Sequence, residues 1–378
     1  MWALLIFCAD IMTQREKTIV IKIGSSLLVS ESTGKLRMDF LYHLMNDVAT
    51  LRARNCKVVL VSSGSVALGR RYGATLASAN LTLPQKQAAA ALGQPALMGA
   101  YQNFAFEHNL RVAQILITLS DFEDRKRFVN AEDTFEELLC QGAVPIVNEN
   151  DTVATKHLRV GDNDRLSAKV CHLVEADELV ILTNVGGLLD KEGKIVTKIE
   201  TLDESIFSMA GGASGPGTGG MITKLLAAEI AIASGCSTHI TSGSCVNPVI
   251  DALDGLREHT VIESNITPES ARHLWIETSL EIRGFLEVSE ESFDSIRQGR
   301  SLFPEDLSGV SGEFGRGDVV SIMVGELEVA RGIAAFNHHE SQALLEGRSP
   351  DIFAVLGYNT RPDVVHKNDL AFLTLTPS

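Results

Sequence analysis

Up to about Thr260, short runs of apolar and β-branched residues alternate with longer helical stretches. The apolar runs predict six strands: Thr18–Ile23, Lys57–Val61, Val112–Leu119, Val144–Asn148, Glu178–Thr183 and Thr238–Thr241. The stretches between them predict helices over Met38–Asn55, Pro84–His108, Asn130–Gln141, Arg165–Glu175, Thr223–Ala233 and Val246–Leu253. Continuous apolar strands separated by helices indicate an α/β fold, a three-layer α/β/α sandwich with a mostly parallel sheet covered on both faces.

The pattern changes after about Ile262. Residues 265–279 are typical of a linker with a little helix, and from residue 280 the strands become short and the turns frequent. The sequence therefore predicts an α/β domain over residues 17–264, the linker, and a small β-rich domain over residues 280–378. Residues 1–16 are predicted to be a dispensable extension, since Met1–Ile11 is apolar but too short to span a membrane and lacks a basic leading region.

Charge and cysteine content narrow the function classes. The net charge of −15 and the pI of about 5.1 work against nonspecific binding to nucleic acid, although a local lysine pocket can still bind a small anion. The six cysteines form no C-x-x-C pair and no disulfide framework, which indicates a reducing, cytoplasmic location. We expect no nucleic-acid or membrane partner.

Polar and glycine-rich segments follow several of the predicted strands directly. They are Gly24-Ser25-Ser26, Ser62-Ser63-Gly64-Ser65, Asn148-Glu149-Asn150-Asp151 and Thr183-Asn184-Val185-Gly186-Gly187. In parallel sheets, ligands bind at the carboxyl ends of the strands. These segments therefore predict one ligand site at that end of the sheet, although hydroxyl and acidic residues there are also ordinary helix caps and turn formers.

The segment from Gly211 to Gly220 contains six glycines and leads into Met221-Ile222-Thr223-Lys224 and a helical run. Glycines let backbone N–H groups approach a phosphate, and a helix start directs its positive dipole end toward an anion. The spacing differs from that of a P-loop. The alternative is a flexible loop that merely precedes a helix.

Lys22 lies inside an apolar run, where a buried ammonium group is costly unless an anion meets it. The alternative is a lysine that points outward from an edge strand. The Asn148–Asp151 segment and Gly161-Asp162-Asn163-Asp164 add a dense polar cluster, although Asp164 could simply cap a helix. Two lysines, two glycine-rich segments and an Asn/Asp pocket match phosphoryl transfer, in which positioning and charge neutralisation dominate.

These motifs resemble the glutamate 5-kinases, a branch of the amino-acid kinase family, and the tail resembles a PUA domain. The matching segments are Val20–Ser26, Val61–Ser65, Ile146–Ala154, Gly161–Asp164 and Gly217–Lys224. The resemblance implies that Lys22 and Lys224 contact the ATP phosphates and that Asp164 holds both lysines. It places glutamate on Ser63, Gly64, Asp151 and Asn163. It places the nucleotide beside Thr183 and Asn184, where family members commonly have aspartate in place of Asn184, and on the loop Thr218, Gly219, Gly220, Met221, Ile222, Thr223 and Lys224.

The same resemblance implies ATP-dependent phosphorylation of the glutamate side-chain carboxylate, the first step of proline synthesis. Mg²⁺ would arrive with ATP and have few direct protein ligands, and no tightly bound organic cofactor is expected. Proline feedback, a homo-oligomer and hand-off of the product to a glutamyl phosphate reductase are family expectations. The sequence leaves two alternatives open: a sister kinase acting on acetylglutamate, aspartate, carbamate or uridylate, and an RNA-binding or RNA-modifying protein. The tail from Glu281 carries 8 Lys and Arg against 16 Asp and Glu, which argues against RNA.

Overall fold

The computed structural model describes residues 16–73, 76, 80–153, 162–211, 220–279, 281–347, 352–358 and 360–373. Its residues group into two compact units. The first runs to Leu119 and resumes over Thr134–Asn265, and the second comprises Ser120–Asp133 and the chain from Ile266 onward. Within the described part, no helix is both long and apolar enough to cross a membrane.

The first unit contains an eight-stranded sheet in the order β3-β4-β2-β1-β5-β7-β8-β6. Its pairings are parallel except that of β7 with β8, which is antiparallel. The strands are β1 (Thr18–Ile23), β2 (Lys57–Val61), β3 (Val112–Ile117), β4 (Val144–Glu149), β5 (Glu178–Thr183), β6 (Lys198–Ile199), β7 (Ser237–Ser242) and β8 (Thr260–Ile262). The predicted mostly parallel α/β sheet is confirmed, and the short strands β6 and β8 extend it beyond the prediction.

The helices of this part of the chain lie between the strands. They are α1 (Ser25–Leu28), α2 (Met38–Ala53), α3 (Ser65–Gly69), α4 (Leu83–Glu107), α5 (Arg125–Cys140), α6 (Asp162–Leu173), α7 (Glu204–Ala210), α8 (Met221–Ala233) and α9 (Ile250–Leu253). Helix α6 begins three residues before the predicted start at Arg165, so Asn163 and Asp164 belong to its first turn. This position directs both side chains toward the carboxyl ends of the strands.

Both faces of strand β1 are buried, and the two faces differ. Ile19, Ile21 and Ile23 join the large apolar core that includes residues of α2 and α4. The alternate residues Val20 and Lys22 are also buried but lie on the opposite face. All six residues of the strand are buried, as expected for a central parallel strand. The alternation separates the charged position from the main apolar core.

The second unit contains a five-stranded sheet in the order β10-β9-β11-β12-β13. Its strands are β9 (Gly284–Val288), β10 (Leu307–Gly312), β11 (Val319–Val324), β12 (Leu327–Ile333) and β13 (Leu370–Phe372), with helices α10 (Pro268–Glu277), α11 (Glu290–Arg297), α12 (His338–Gly347) and α13 (Ile352–Leu356). The β-rich tail is therefore confirmed. This unit also takes in the first part of α5, where Glu132 accepts a 2.6 Å hydrogen bond from Arg272.

Candidate active site

Three charged side chains from three different elements meet at the carboxyl end of strand β1. The Asp164 carboxylate, on α6, lies 2.5 Å from the Lys22 ammonium group and 3.3 Å from that of Lys224, on α8. The Asp164 side chain is completely buried, and 8% and 6% of the two lysine side chains are exposed. The prediction that this lysine is buried and meets an anion is therefore confirmed, and the alternative of a lysine that points outward from an edge strand is wrong.

The ionisation of this cluster follows from its contacts. Burial opposes ionisation of Asp164, but the two ammonium groups and the hydroxyl of Thr223 outweigh burial and hold the pKa of the carboxyl below its ordinary value. Burial lowers the pKa of the Lys224 ammonium group, and the attraction of Asp164 opposes that shift. One carboxylate therefore carries negative charge between two positive groups.

The N-terminus of helix α8 lies beside the same cluster. Gly220 precedes its first residue, and no side chain caps the N–H groups there. The Thr223 hydroxyl lies 2.7 Å from Asp164 Oδ2 and 2.8 Å from the Gly220 carbonyl oxygen. Met221 and Ile222 form the outer part of this first turn, and Thr218 and Gly219 lie outside the described residues. The arrangement leaves helix N–H groups and the positive dipole end beside both lysines, where an anion is stabilised.

A second group of polar side chains adjoins the cluster through α6. The Asn163 amide donates hydrogen bonds to the Ser63 hydroxyl at 2.8 Å, to the Ser62 carbonyl at 2.9 Å and to Asn148 Oδ1 at 3.2 Å. Two hydrogens cannot fully satisfy three acceptors, so these contacts share them. The loops after β2 and β4 and the start of α6 therefore form one polar pocket.

Asp151 and Gly64 complete this pocket. The Ser65 hydroxyl donates to Asp151 Oδ2 at 3.2 Å, and Asp151 is largely buried. Gly64 precedes α3 with a φ of 98°, a left-handed conformation that side chains rarely adopt, and a Cβ there would lie 3.3 Å from Val29. The tight turn lets Ser63 contact Asn163 and Ser65, the first residue of α3, contact Asp151.

The carboxyl end of strand β5 lies beside Lys22 on the side of β1 opposite to β2. Thr183 is the last residue of β5, and the Asn184 amide donates to the Ser26 hydroxyl at 3.0 Å. A cavity of about 350 Å³ opens beside these residues and is lined mostly by polar side chains, namely Ser26, Leu27, Ser30, Glu31, Ser32, Arg37, Asn184 and Ser244. The ends of β1 and β5 thus meet as the sequence predicts, and the amide at Asn184 is a working hydrogen-bond donor.

Sequence reasoning did not find two buried polar side chains of α4. Gln94 accepts a hydrogen bond from Asn148, and the Tyr101 hydroxyl lies 2.9 Å from the Ser62 hydroxyl. Both residues occur in the stretch Pro84–His108, whose pattern predicts a helix and nothing further. The available signal was a glutamine beside Gly93 on an otherwise small and apolar helix face, since glutamine is rarely buried.

The fold and this site define the class of protein. A mostly parallel sheet whose strand ends hold two lysines on one carboxylate, beside an uncapped helix start, is typical of a phosphoryl-transfer enzyme. The Amino acid kinase family profile matches residues 17–242, and the PUA domain profile matches residues 284–356. The chain belongs to the amino acid kinase family and is a kinase.

Several curated relatives match nearly the whole chain. A glutamate 5-kinase of Paramagnetospirillum magneticum is 42% identical over 362 residues, which are 94% of this chain and 97% of the relative. A glutamate 5-kinase of Ruegeria sp. is 43% identical over 364 residues, 94% of this chain and 98% of the relative. The solved structure of Giardia carbamate kinase covers 67% of this chain and all of its own chain, with a TM-score of 0.50 and 20% identity, which supports the fold alone.

Proposed function

We propose that this protein phosphorylates the side-chain carboxylate of glutamate with ATP and yields glutamyl 5-phosphate, the first step of proline synthesis. The observation that carries the proposal is the buried cluster of Lys22, Asp164 and Lys224 directly beside the Asn163 pocket. Relatives that match nearly all of the chain are glutamate 5-kinases, which supports glutamate as the acceptor.

The reaction needs no general base. The side-chain carboxyl of free glutamate has a pKa of about 4.3, so it is already an anion at neutral pH. One of its oxygens attacks the γ-phosphorus, a new O–P bond forms, and the bond from that phosphorus to the β–γ bridging oxygen breaks. ADP leaves with the electron pair. The protein's task is to hold two anions together and to stabilise the charge that develops between them.

Lys22 and Lys224 are proposed to supply that charge stabilisation. Each ammonium group is almost fully buried, so its field is weakly screened by water. Asp164 is a positioning residue in this scheme, because it contacts both lysines and would not touch the phosphate itself. The two ammonium groups and one carboxylate give the cluster a net charge of +1, which attracts the negatively charged phosphoryl group that is transferred.

The glutamate and the nucleotide are proposed to occupy opposite sides of this cluster. Ser63, Gly64, Asp151 and Asn163 would bind glutamate, with the Asp151 carboxylate facing the substrate ammonium group. Thr183, Asn184, Gly220 and the first turn of α8 would bind the nucleotide, together with Thr218 and Gly219. The polar cavity beside Asn184 is within the usual size range of a small-molecule pocket.

Magnesium is proposed to enter as part of the MgATP substrate. The described residues contain no group of three or more His, Cys, Asp or Glu side chains placed to hold a metal ion. The two Asp164 oxygens already face the two lysines. Mg²⁺ commonly keeps several waters and binds through substrate phosphates, which suits such a site.

Steady-state kinetics test the proposal. The purified protein is assayed with MgATP and glutamate, acetylglutamate, aspartate, carbamate or uridylate, and hydroxylamine traps any acyl phosphate as a hydroxamate. A coupled assay of ADP release covers every acceptor, including uridylate, which forms no acyl phosphate. We expect ADP release and hydroxamate only with glutamate. Turnover of acetylglutamate without turnover of glutamate would contradict the proposal.

Adding proline to the same assay tests the family expectation of feedback inhibition. Sedimentation measurements test for a homo-oligomer, and coupled assays test transfer of the product to a reductase. Fractionation of cells that produce the protein tests its expected cytoplasmic location.

A further inference from the structure

Helix α4 brings two buried polar side chains against the back of the proposed glutamate pocket. Gln94 is 9% exposed and Tyr101 is fully buried. They are seven residues apart and therefore lie on the same helix face. The other buried residues of α4 are mainly small or apolar, namely Ala89, Ala90, Gly93, Leu97, Ala100 and Ala105. Two polar groups on such a face need a specific explanation.

Unusually close backbone packing holds Gln94 in place. A Cβ atom added to Gly93 would lie 1.9 Å from the Ser65 carbonyl oxygen, and one added to Gly69 would lie 1.7 Å from the Ala89 carbonyl oxygen. Helices α3 and α4 therefore cross with their backbones in contact, which only glycine permits. This crossing brings Gln94 close to the start of α3, where Ser65 and Gln94 both contact Asn148.

Gln94 contacts Asn148, which has hydrogen bonds to both halves of the pocket. Asn148 Nδ2 donates to Gln94 Oε1 at 2.9 Å and lies 3.4 Å from the Ser65 hydroxyl. Asn148 Oδ1 accepts from the backbone N–H of Glu149 at 2.9 Å and from Asn163 at 3.2 Å. Asn148 thus joins the two halves of the pocket, and Gln94 together with the Glu149 N–H favours the orientation in which the Asn148 oxygen faces Asn163.

The two ends of the Gln94 amide differ in their hydrogen bonding. Among the described residues, Gln94 Nε2 is buried and has no hydrogen-bond partner. Rotating the amide would not help, since it would place Nε2 against the Asn148 donor. A buried donor without a partner is destabilising, and a methionine of similar shape would avoid it. The acceptor oxygen, which receives the Asn148 hydrogen bond, is therefore the part of the Gln94 amide that acts on the pocket.

Tyr101 supports the same pocket one step further along the helix. Its hydroxyl lies 2.9 Å from Ser62 Oγ, which in turn donates to the Ser63 carbonyl at 3.2 Å. The Ser62 carbonyl accepts from Asn163 at 2.9 Å. Burial raises the pKa of the Tyr101 hydroxyl, so it remains a donor at any physiological pH. Helix α4 thus reaches Asn163 by two independent routes.

We propose that Gln94 is a positioning residue for the amino-acid substrate, acting through Asn148 on Asn163, with Tyr101 supporting the same pocket through Ser62. The inference rests on the proposed function, because it assigns this pocket to glutamate. Neither residue reaches Lys22, Asp164 or Lys224, so the inference concerns the affinity for the acceptor and leaves the affinity for ATP unchanged.

The test compares Gln94→Met with Gln102→Met, the same change at an exposed position of the same helix. We expect Gln94→Met to raise the KM for glutamate roughly tenfold, the effect of about one lost hydrogen bond in a buried network, with the KM for ATP within twofold. Gln102→Met should match the wild type. In an Asn148→Ala background, adding Gln94→Met should change the glutamate KM less than twofold, because the residue through which Gln94 acts is gone.

The outcomes separate the inference from the proposed function. A wild-type enzyme that does not turn over glutamate would overturn both. Normal wild-type turnover with equal KM values in the two glutamine variants, or with equal effects of Gln94→Met in both backgrounds, would overturn the inference alone. If Gln94→Met does not fold, Tyr101→Phe serves instead, since it keeps the ring and removes only the hydroxyl. An unchanged glutamate KM in Tyr101→Phe would then refute the inference.

Discussion

Replacing Asp164 by asparagine tests the centre of the site most directly. The change keeps the shape of the side chain but removes the charge that both Lys22 and Lys224 contact, at 2.5 and 3.3 Å. With an effective dielectric constant of about 20, those distances correspond to attractions of about 7 and about 5 kcal/mol before desolvation is counted. Desolvation offsets much of this, and removing one partner of a buried pair typically costs about 3–5 kcal/mol.

In Asp164→Asn, the loss of kcat should be larger than the loss of unfolding free energy alone would produce. Both lysines lose the group that positions them, and removal of a single group that stabilises transition-state charge commonly costs about 10²- to 10³-fold in kcat. We therefore expect Asp164→Asn to lower kcat by about 10³-fold or more, while the unfolding free energy falls by about 3–5 kcal/mol. Steady-state kinetics and urea unfolding measure the two quantities on the same preparation.

The stability difference between the wild type and Asp164→Asn should depend on pH in a defined direction. The pKa of Asp164 is lower in the folded state than in the unfolded chain, so the unfolded state binds more protons in the window between the two values. The stabilisation is therefore fully present above the unfolded pKa of about 3.9 and is lost as the pH falls through the folded pKa. The stability gap between wild type and Asp164→Asn should be constant from pH 5 to pH 8 and shrink below about pH 4.

The exposed Asp39 provides the matched control, since Asp39→Asn makes the same chemical change outside the site. Surface substitutions of this kind usually change stability by less than about 0.5 kcal/mol, and the first-turn position adds only a small dipole effect. An Asp164→Asn enzyme that keeps its kcat within tenfold of the wild type, or whose stability gap persists unchanged at pH 3, would refute the reasoning.

Three further predictions concern other groups. Lys22→Ala and Lys224→Ala should each lower kcat by about 10²-fold or more with the fold retained by circular dichroism, and near-normal turnover in either would remove that lysine from the mechanism. Asp151→Ala should raise the glutamate KM more than the ATP KM, and equal increases would contradict its assignment to glutamate. Burial raises the pKa of Asp47 to about 6, so its ionisation destabilises the fold by up to about 3 kcal/mol as the pH rises from 4 to 7. Asp47→Asn should therefore be the more stable protein at pH 8 in urea unfolding, and a wild type that is equally stable at pH 4 and pH 8 would argue against this.

The sequence predicted the central strands well because their signal is local. The limits of β1, β2 and β5 match the predicted ones, since each is a continuous apolar run bounded by polar residues. The short strands β6 and β8 were not predicted, because two or three residues carry no usable periodicity. Ser120–Asp133 groups with the second unit, which no local pattern in that stretch could indicate. Its burial depends on residues far away in sequence, such as Arg272.

The residues of the site were likewise predicted only where their signal in the sequence is local. The lysines and the Asn/Asp segments were found because charge and amide groups are conspicuous beside apolar strands. Gln94 and Tyr101 were not found, since each is a single polar residue in a long helix and its contact with Asn148 or Ser62 depends on the packing of distant segments. Sequence patterns indicate which residues carry chemistry, but they do not indicate which distant helix supports those residues.

The alternation of strand β1 joins the fold to the chemistry. Ile19, Ile21 and Ile23 pack into the main core, and Lys22 is buried on the opposite face, where it meets Asp164. A slip of one residue in the pairing of β1 would turn the ammonium group into the apolar core and an isoleucine toward the carboxylate. Lys22 would then be buried without a counter-ion, and Asp164 would lose its closer partner. The register that gives the best apolar packing is therefore the same register that assembles the charged cluster, so selection for the core also preserves the site.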